Sequence, residues 1–259
     1  MPDDAVKAEK GQIPTNLRLL LILEEVAQAG TPVSASALSD ALGLPKPTVH
    51  RLLATAEDEG FLVRDIDGRS YGPGHRLRRL ASNTFSSQRV RAERLMIMTA
   101  LAEEVEETCN LAAPGRYGMV YLDRVETHWP LRIQLPVGTQ VPFHCTASGK
   151  MFLSSLRSDR LDRYLDWLTL SKETDRTITD PDQLREEVAA IRGRGFATDN
   201  EEFMEGMTAV AAPITDAQGR LMTTLSIHAP LQRHGVDDLI MMLPQLKAAT
   251  ERMRRLLND

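Results

Sequence analysis

The stretch ALSDALGLPKPTVHRLLATAEDEGFLVRD, residues 37–65, decides the fold of the first part of this chain. Ser34 is a good cap for a short helix, Leu38, Ala41 and Leu42 give that helix an inner side, and Gly43 stops it. After Gly43-Leu44-Pro45, Pro47 suits the first position of a second helix. There Val49, Leu52, Leu53 and Ala56 repeat at i, i+3, i+4 and i+7 until Gly60. Two short helices across a tight turn, the second amphipathic, predict a helix-turn-helix.

The flanks complete it. Leu17, Leu20, Leu21, Glu24 and Ala27 line one face of an earlier helix, opened by Thr15 and ended by Gly30. Phe61 to Arg64 and Ser70-Tyr71 read as strands around the Asp/Gly-rich residues 65–69, a hairpin that makes the wing of a winged helix-turn-helix.

With the apolar residues of the second helix inward, its other face offers Lys46, Thr48, His50, Arg51 and Thr55. These groups match those that contact bases and phosphates when such a helix enters the major groove. Thr48 and His50 are placed to reach bases or backbone, while Lys46 and the wing residues Arg64 and Arg69 are placed to hold phosphates. The expected partner is double-stranded DNA.

Charge allows this only locally. The 259 residues carry a net charge of -5, which argues against a surface basic all over. Between residues 62 and 80, however, Arg64, Arg69, Arg76, Arg78 and Arg79 face only Asp65 and Asp67. A composition 42% hydrophobic and 26% charged is that of an ordinary soluble protein, and no run approaches the roughly 20 apolar residues of a membrane span. Cys109 and Cys145 stand far apart without a CxxC spacing, so neither a disulfide framework nor a zinc site is expected, and a cytoplasmic location fits.

Residues 1–14 read as a disordered tail, 15–80 as the DNA-binding domain, 81–108 as a charged connecting helix and 109–259 as a second domain. In the second domain, strand-like segments (110–113, 119–125, 131–135, 209–213 and 221–228) mix with helices. One helix begins at Asp180-Pro181, and the last carries the stripe Leu239, Met242, Leu246, Ala249, Met253 and Leu256. Turns such as Asp216-Ala217-Gln218-Gly219 predict an antiparallel sheet flanked by helices, an α+β architecture.

Enzyme signatures fail on spacing. Ser148-Gly149-Lys150 lacks the first glycine of a phosphate loop, with His144 in its place, and the serine stands one residue too close to the lysine for an SxxK nucleophile. Gly72 and Gly74 open a GxG that Leu77 does not complete.

Residues 37–51 and the segment after them resemble the DNA-binding domain of the IclR family of bacterial regulators. PVGTQVPFHCTASGKMFL (136–153), GFATDNEEFMEGMTAVAAPITD (195–216) and LSIHAP (225–230) resemble its effector-binding domain. The resemblance runs from about Leu17 to the end. It implies a GAF-like second domain whose pocket is lined by Ile133, Ala147, Ser148, Asp199, Met207, Ala209, Ser226 and His228. It also implies homodimers that pair into tetramers on a palindromic operator, with no cofactor and no metal. Two positions depart from the family: Pro47 replaces a small hydroxyl residue at the start of the recognition helix, and His228 is larger than the family's usual residue. The amides of Ser148 and Gly149 at a helix start suit an anion. Ser148, Ser226 and His228 add hydrogen bonds, Asp199 an acceptor, and Ile133, Met207 and Ala209 an apolar lining. A small organic acid, aliphatic or aromatic, is the expected effector.

Overall fold

The computed structural model describes residues 13–29, 31–65, 68–85, 88–115, 117–132, 134–167 and 170–258. They fall into two compact units, divided between residues 87 and 88. Of the tail expected at 1–14, residues 1–12 lie outside the described residues, while Ile13 packs on the first core.

The first unit runs α1 (Thr15–Ala29), β1 (Val33–Ser34), α2 (Ala35–Leu42), α3 (Lys46–Asp58), β2 (Leu62–Arg64), β3 (Ser70–Pro73) and α4 (His75–Phe85). Ser34 caps α2, its hydroxyl accepting the Ala37 N–H at 3.2 Å. Gly43 ends the helix in the left-handed region at φ 62°, where a side chain would be strained. In the tight turn, the Ser39 hydroxyl donates to the Leu44 carbonyl at 2.6 Å. Lys46, rather than Pro47, is the first residue of α3, and proline in that first turn removes an amide that has no helical partner anyway. Ile22, Val26, Leu38, Val49, Leu53, Ala56, Leu62 and Tyr71 form the core. The hairpin of β2 and β3 gains a third strand, β1, which pairs Val33 with Tyr71.

The second unit contains α5 (Gln88–Val105), β4 (Thr108–Pro114), β5 (Met119–Val125), β6 (Gln140–Val141), α6 (Ala147–Ser155), α7 (Ser158–Trp167) and α8 (Pro181–Arg194). These are followed by β7 (Ala197–Asn200), β8 (Met207–Thr215), β9 (Leu221–Pro230), α9 (Val236–Met241) and α10 (Leu243–Asn258). The six strands lie in the order β6-β5-β4-β9-β8-β7, every pairing antiparallel. Successive strand residues point to opposite faces. Leu111, Val210, Ala212, Leu225 and Ile227 pack against Met98 and Leu101 of α5 and Leu246 and Met253 of α10. The region expected as a charged connector thus includes a helix that covers one face of this sheet. Ala112, Tyr121, Ala197, Ala209 and Ala211 turn to the other face, beneath α6 and α8.

Two strand expectations need correction. The described residues of 131–135 form no strand: Leu131 and Leu135 alternate as strand residues do, but Leu131 is exposed, and prolines at 130 and 136 bound the run. The short edge strand is β6 instead, and β7 was missed because ATDN carries no apolar alternation.

One irregularity positions the site. The β4–β5 register slips between Leu111 and Ala112: Leu111 pairs with Asp123, and Ala112 with Tyr121. Leu122 packs into the core beside α5, and Asp123 accepts from Arg91 and Arg94 of α5 at 2.9 and 2.6 Å. Two successive side chains therefore point toward α5, and Arg124 returns to the face that Tyr121 occupies, as a β-bulge permits.

Candidate DNA-reading helix and ligand site

In α3, Val49, Leu53 and Ala56 are buried, while Lys46, His50, Arg51 and Thr55 are exposed and Thr48 is half-buried. Thr55 donates to the Arg51 carbonyl at 3.1 Å, a bond one turn back along the helix. Arg64 has local duties. It grips Glu57 with Nε at 3.1 Å and Nη2 at 2.7 Å, donates to the Gly68 carbonyl at 3.1 Å and lies 4.9 Å from the Tyr71 ring centre. It braces the wing against α3, so a phosphate would compete with Glu57 for it. Arg69 is exposed on the wing, whose residues 66–67 lie outside the described residues.

In the second unit, α6 starts above the sheet face that carries Tyr121. Thr146 is its cap: the hydroxyl accepts the Gly149 N–H at 3.0 Å and donates to the Pro142 carbonyl at 2.7 Å. Gly149 is required by a close approach, since a Cβ there would stand 2.4 Å from the Phe143 backbone. The expected anion-binding amides are thereby reduced by one, because Thr146 takes the amide of Gly149.

Ser148, Ser226, His228, Ala147, Ala209 and Asp199 come together as buried residues, and Met207 is half-buried at the start of β8. Ile133 lies outside the described residues. Strand register sets the order: Arg124, Asn110, Ser226 and Ala211 form one row across the sheet, and Thr108, His228, Ala209 and Asp199 the next. The Ser148 hydroxyl reaches Ser226 Oγ at 3.4 Å, Ser226 donates to the Asn110 carbonyl at 3.2 Å, and His228 Nε2 lies 2.9 Å from Ser226 Oγ. A hydroxyl has one proton. With that proton on Asn110, Ser226 accepts from Ser148 and from a protonated Nε2, which assigns the His228 tautomer. Tyr121 meets His228 edge to face at 6.3 Å.

Burial pushes His228 down to about 3, and the Arg124 charge pushes the same way, so the imidazole is neutral. Burial pushes Asp199 up to about 7, with repulsion from Glu202 adding to it. The charge of Lys150 and the backbone amides of Glu202 and Phe203 partly offset the rise. One Asp199 oxygen accepts those amides at 2.8 and 3.3 Å, so this acid closes the turn after β7. Lys150, fully buried, holds both Glu202 oxygens at 2.5 and 2.7 Å and Glu187 at 3.5 Å. It is an internal charge partner, far from the phosphate-loop role that its neighbours suggest in the sequence.

Asn110, Tyr121 and Arg124 were missed by sequence reasoning. Asn110, at the head of the apolar run Leu111-Ala112-Ala113, was the available signal, a polar group where a buried strand should have none.

Residues 17–65 match the model of the IclR helix-turn-helix domain, and residues 82–255 that of the bacterial transcriptional regulator IclR C-terminal domain. The chain belongs to the IclR family. It is 38% identical to a Cupriavidus necator protein described as the probable transcriptional regulator SauR, over 92% of this chain and 94% of that protein. Identity to the transcriptional repressor IclR of Escherichia coli is 30%, over 90% and 85% respectively. A solved IclR homolog from Microbacterium hydrocarbonoxydans, complexed with 4-hydroxybenzoate, superposes with a TM-score of 0.59 at 26% identity, covering 93% of this chain and 99% of that one. The protein is thus a DNA-binding transcription regulator with an effector-binding C-terminal domain. Among the described residues, no helix is long and apolar enough to cross a membrane.

Proposed function

We propose that this regulator reads a palindromic operator as a homodimer or tetramer and that a small carboxylic acid, bound on the α6 side of its sheet, controls that reading. The division of labour is 15–80 for DNA, 81–108 for connection and 109–259 for sensing. In this reading Lys46, Thr48, His50, Arg51 and Thr55 face DNA with Arg69, while Arg64 keeps the wing in place. Paired helix-turn-helix units demand half-sites about one helical turn apart, or a multiple of it.

The observation that carries the sensing half is the buried set of Asn110, Ser226 and His228 on one sheet face and Ser148 above them in the first turn of α6. Buried polar groups are costly unless they are hydrogen-bonded. The 3.4 Å contact between Ser148 and Ser226 is weak enough to be exchanged for a ligand oxygen. The amides of Ala147 and Ser148, ahead of the one that Thr146 takes, add the positive end of the helix. The hydroxybenzoate held by the Microbacterium relative is an acid of this class. A neutral His228 donates its hydrogen bond to Ser226 and fixes that hydroxyl without adding charge.

Thermal unfolding with a panel of small carboxylic acids, 4-hydroxybenzoate included, tests the sensing half. A ligand at 100 times its Kd stabilises by about 2.7 kcal/mol, so binding raises the melting temperature. In the same preparation Arg51→Ala should lose about 1 to 3 kcal/mol of operator affinity with its circular dichroism unchanged. If no acid shifts the parent protein, the acid reading is wrong. If Arg51→Ala binds like the parent, that arginine leaves the DNA face.

A further inference from the structure

We infer that Arg124 supplies the positive charge that the effector's acid group meets, and that it does so because the bulge in β5 turns it onto the ligand face. This deepens the acid-sensing reading above and rests on it. The Arg124 side chain is only 5% exposed, which for a guanidinium in a sheet interior is a costly placement. Its Nη1 donates to Asn110 Oδ1 at 3.0 Å, and the Asn110 carbonyl accepts from Ser226, the residue that links Ser148 and His228. Arg124, Asn110 and Ser226 are opposed in register on three adjacent strands, so the Cα atoms of Arg124 and Ser226 are about 10 Å apart, two interstrand steps, with Asn110 between them. Counted from Leu122, which faces α5, regular alternation would have sent Arg124 there too; the extra residue at the bulge returns it to the opposite face.

The charge distribution fits an anion. His228 is kept neutral by burial and by Arg124, so it orients Ser226 and brings no charge. The carboxylate of Glu126, 39% exposed, lies on the outer side of Arg124, where it accepts from Arg124 Nε at 3.1 Å and from Arg132 Nε at 2.7 Å. Two guanidiniums share that carboxylate. Its charge is screened by solvent, whereas the field of Arg124 acts through the protein interior, where like distances carry more energy. Charge recognition by Arg124 and a hydrogen bond from the Ser148 hydroxyl, held in place by the Ser226–His228 pair, would then select an acid over its neutral isosteres.

The test uses the full-length protein and four acids, acetate, pyruvate, benzoate and 4-hydroxybenzoate, each beside its primary amide, with binding read by calorimetry or thermal shift. In the parent, at least one acid should bind at least tenfold more tightly than its amide. Arg124→Gln, which keeps an amide to pair with Asn110, should reduce that preference to within about twofold, and Arg124→Lys should restore most of it. Glu126→Gln leaves Arg124 in place and removes its outer countercharge, so acid binding should tighten severalfold. This variant alters an exposed residue and decides the matter even if Arg124→Gln does not fold. A purely structural Arg124 would move stability while leaving the acid-to-amide ratio alone. Retention of that ratio in Arg124→Gln, or unchanged acid affinity in Glu126→Gln, would overturn the inference while leaving acid sensing intact. If the parent bound none of the four acids, the acid-sensing reading and this inference would fall together.

Discussion

Each unit holds an ion pair of a basic residue with a glutamate, and the surroundings separate the two. Arg64 and Glu57 join the wing to α3 with side chains 44% and 30% exposed. Lys150 and Glu202 join α6 to the turn after β7 with side chains 1% and 10% exposed. In the DNA-reading unit charge is kept at the surface, where it can meet phosphates and costs little to hold. In the sensing unit charges and hydroxyls are inside, where each must be matched or leave a penalty. One unit displays its chemistry; the other encloses it.

Breaking the enclosed pair should have the largest consequence. Lys150→Met keeps the length of the side chain and strands Glu202 beside Asp199, and the loss should be roughly 3 to 5 kcal/mol. Denaturant unfolding of the second unit, followed by hydrogen exchange of β7 and β8 amides, measures it. A loss below about 1 kcal/mol would mean that water reaches Glu202.

A smaller effect follows from Asp199. Its folded-state pKa, about 7, stands above the ordinary value of 3.8. The raised value makes the protonated acid the favoured form in the fold, so the contribution to stability is fully present below about pH 4. It is lost as pH rises to 7, with a slope no steeper than about 1.4 kcal/mol per pH unit for one proton. Asp199→Asn keeps a side-chain oxygen for the Glu202 amide and removes the titration. Relative to the parent it should gain stability between pH 4 and 7 and gain no more above that. Parallel stability curves across this window would contradict the assignment.

The smallest effect belongs to the displayed pair. Glu57→Ala should leave stability within measurement error, because exposed pairs contribute little, while freeing Arg64 for phosphate and steepening the salt dependence of operator binding. An unchanged salt slope would keep Arg64 off the DNA backbone.

The same contrast explains what the sequence made legible. The helix-turn-helix could be read because its signals are local: Ser34 and Gly43 bound one helix, and the spacing of Val49, Leu53 and Ala56 sets the next. The exposed residues proposed to face DNA then follow as the remainder of the helix. The proposed ligand face is assembled from distant segments: Ser148 and Ser226 are 78 residues apart, Ser226 and Asn110 116. Only the family resemblance brought Ser148, Ser226, His228 and Asp199 together beforehand. Arg124 escaped because no alternation rule anticipates a bulge, and MVYLDRV read as a regular strand puts Tyr121 and Arg124 on opposite faces. The error at Leu131 to Leu135 has the opposite origin, an alternation that begins on the exposed Leu131 between two prolines.

The central claim is that sensing and DNA reading reside in separate units and are coupled. Its most direct test is operator affinity, with and without the acid that stabilises the protein, for the parent and for Ser148→Val. The acid should change the parent's affinity by at least about fivefold, the lower end of usual coupling energies. Ser148→Val should bind the operator like the parent without acid and show no response to it. A variant that still responds like the parent, or that loses affinity for the operator even without acid, would contradict the account.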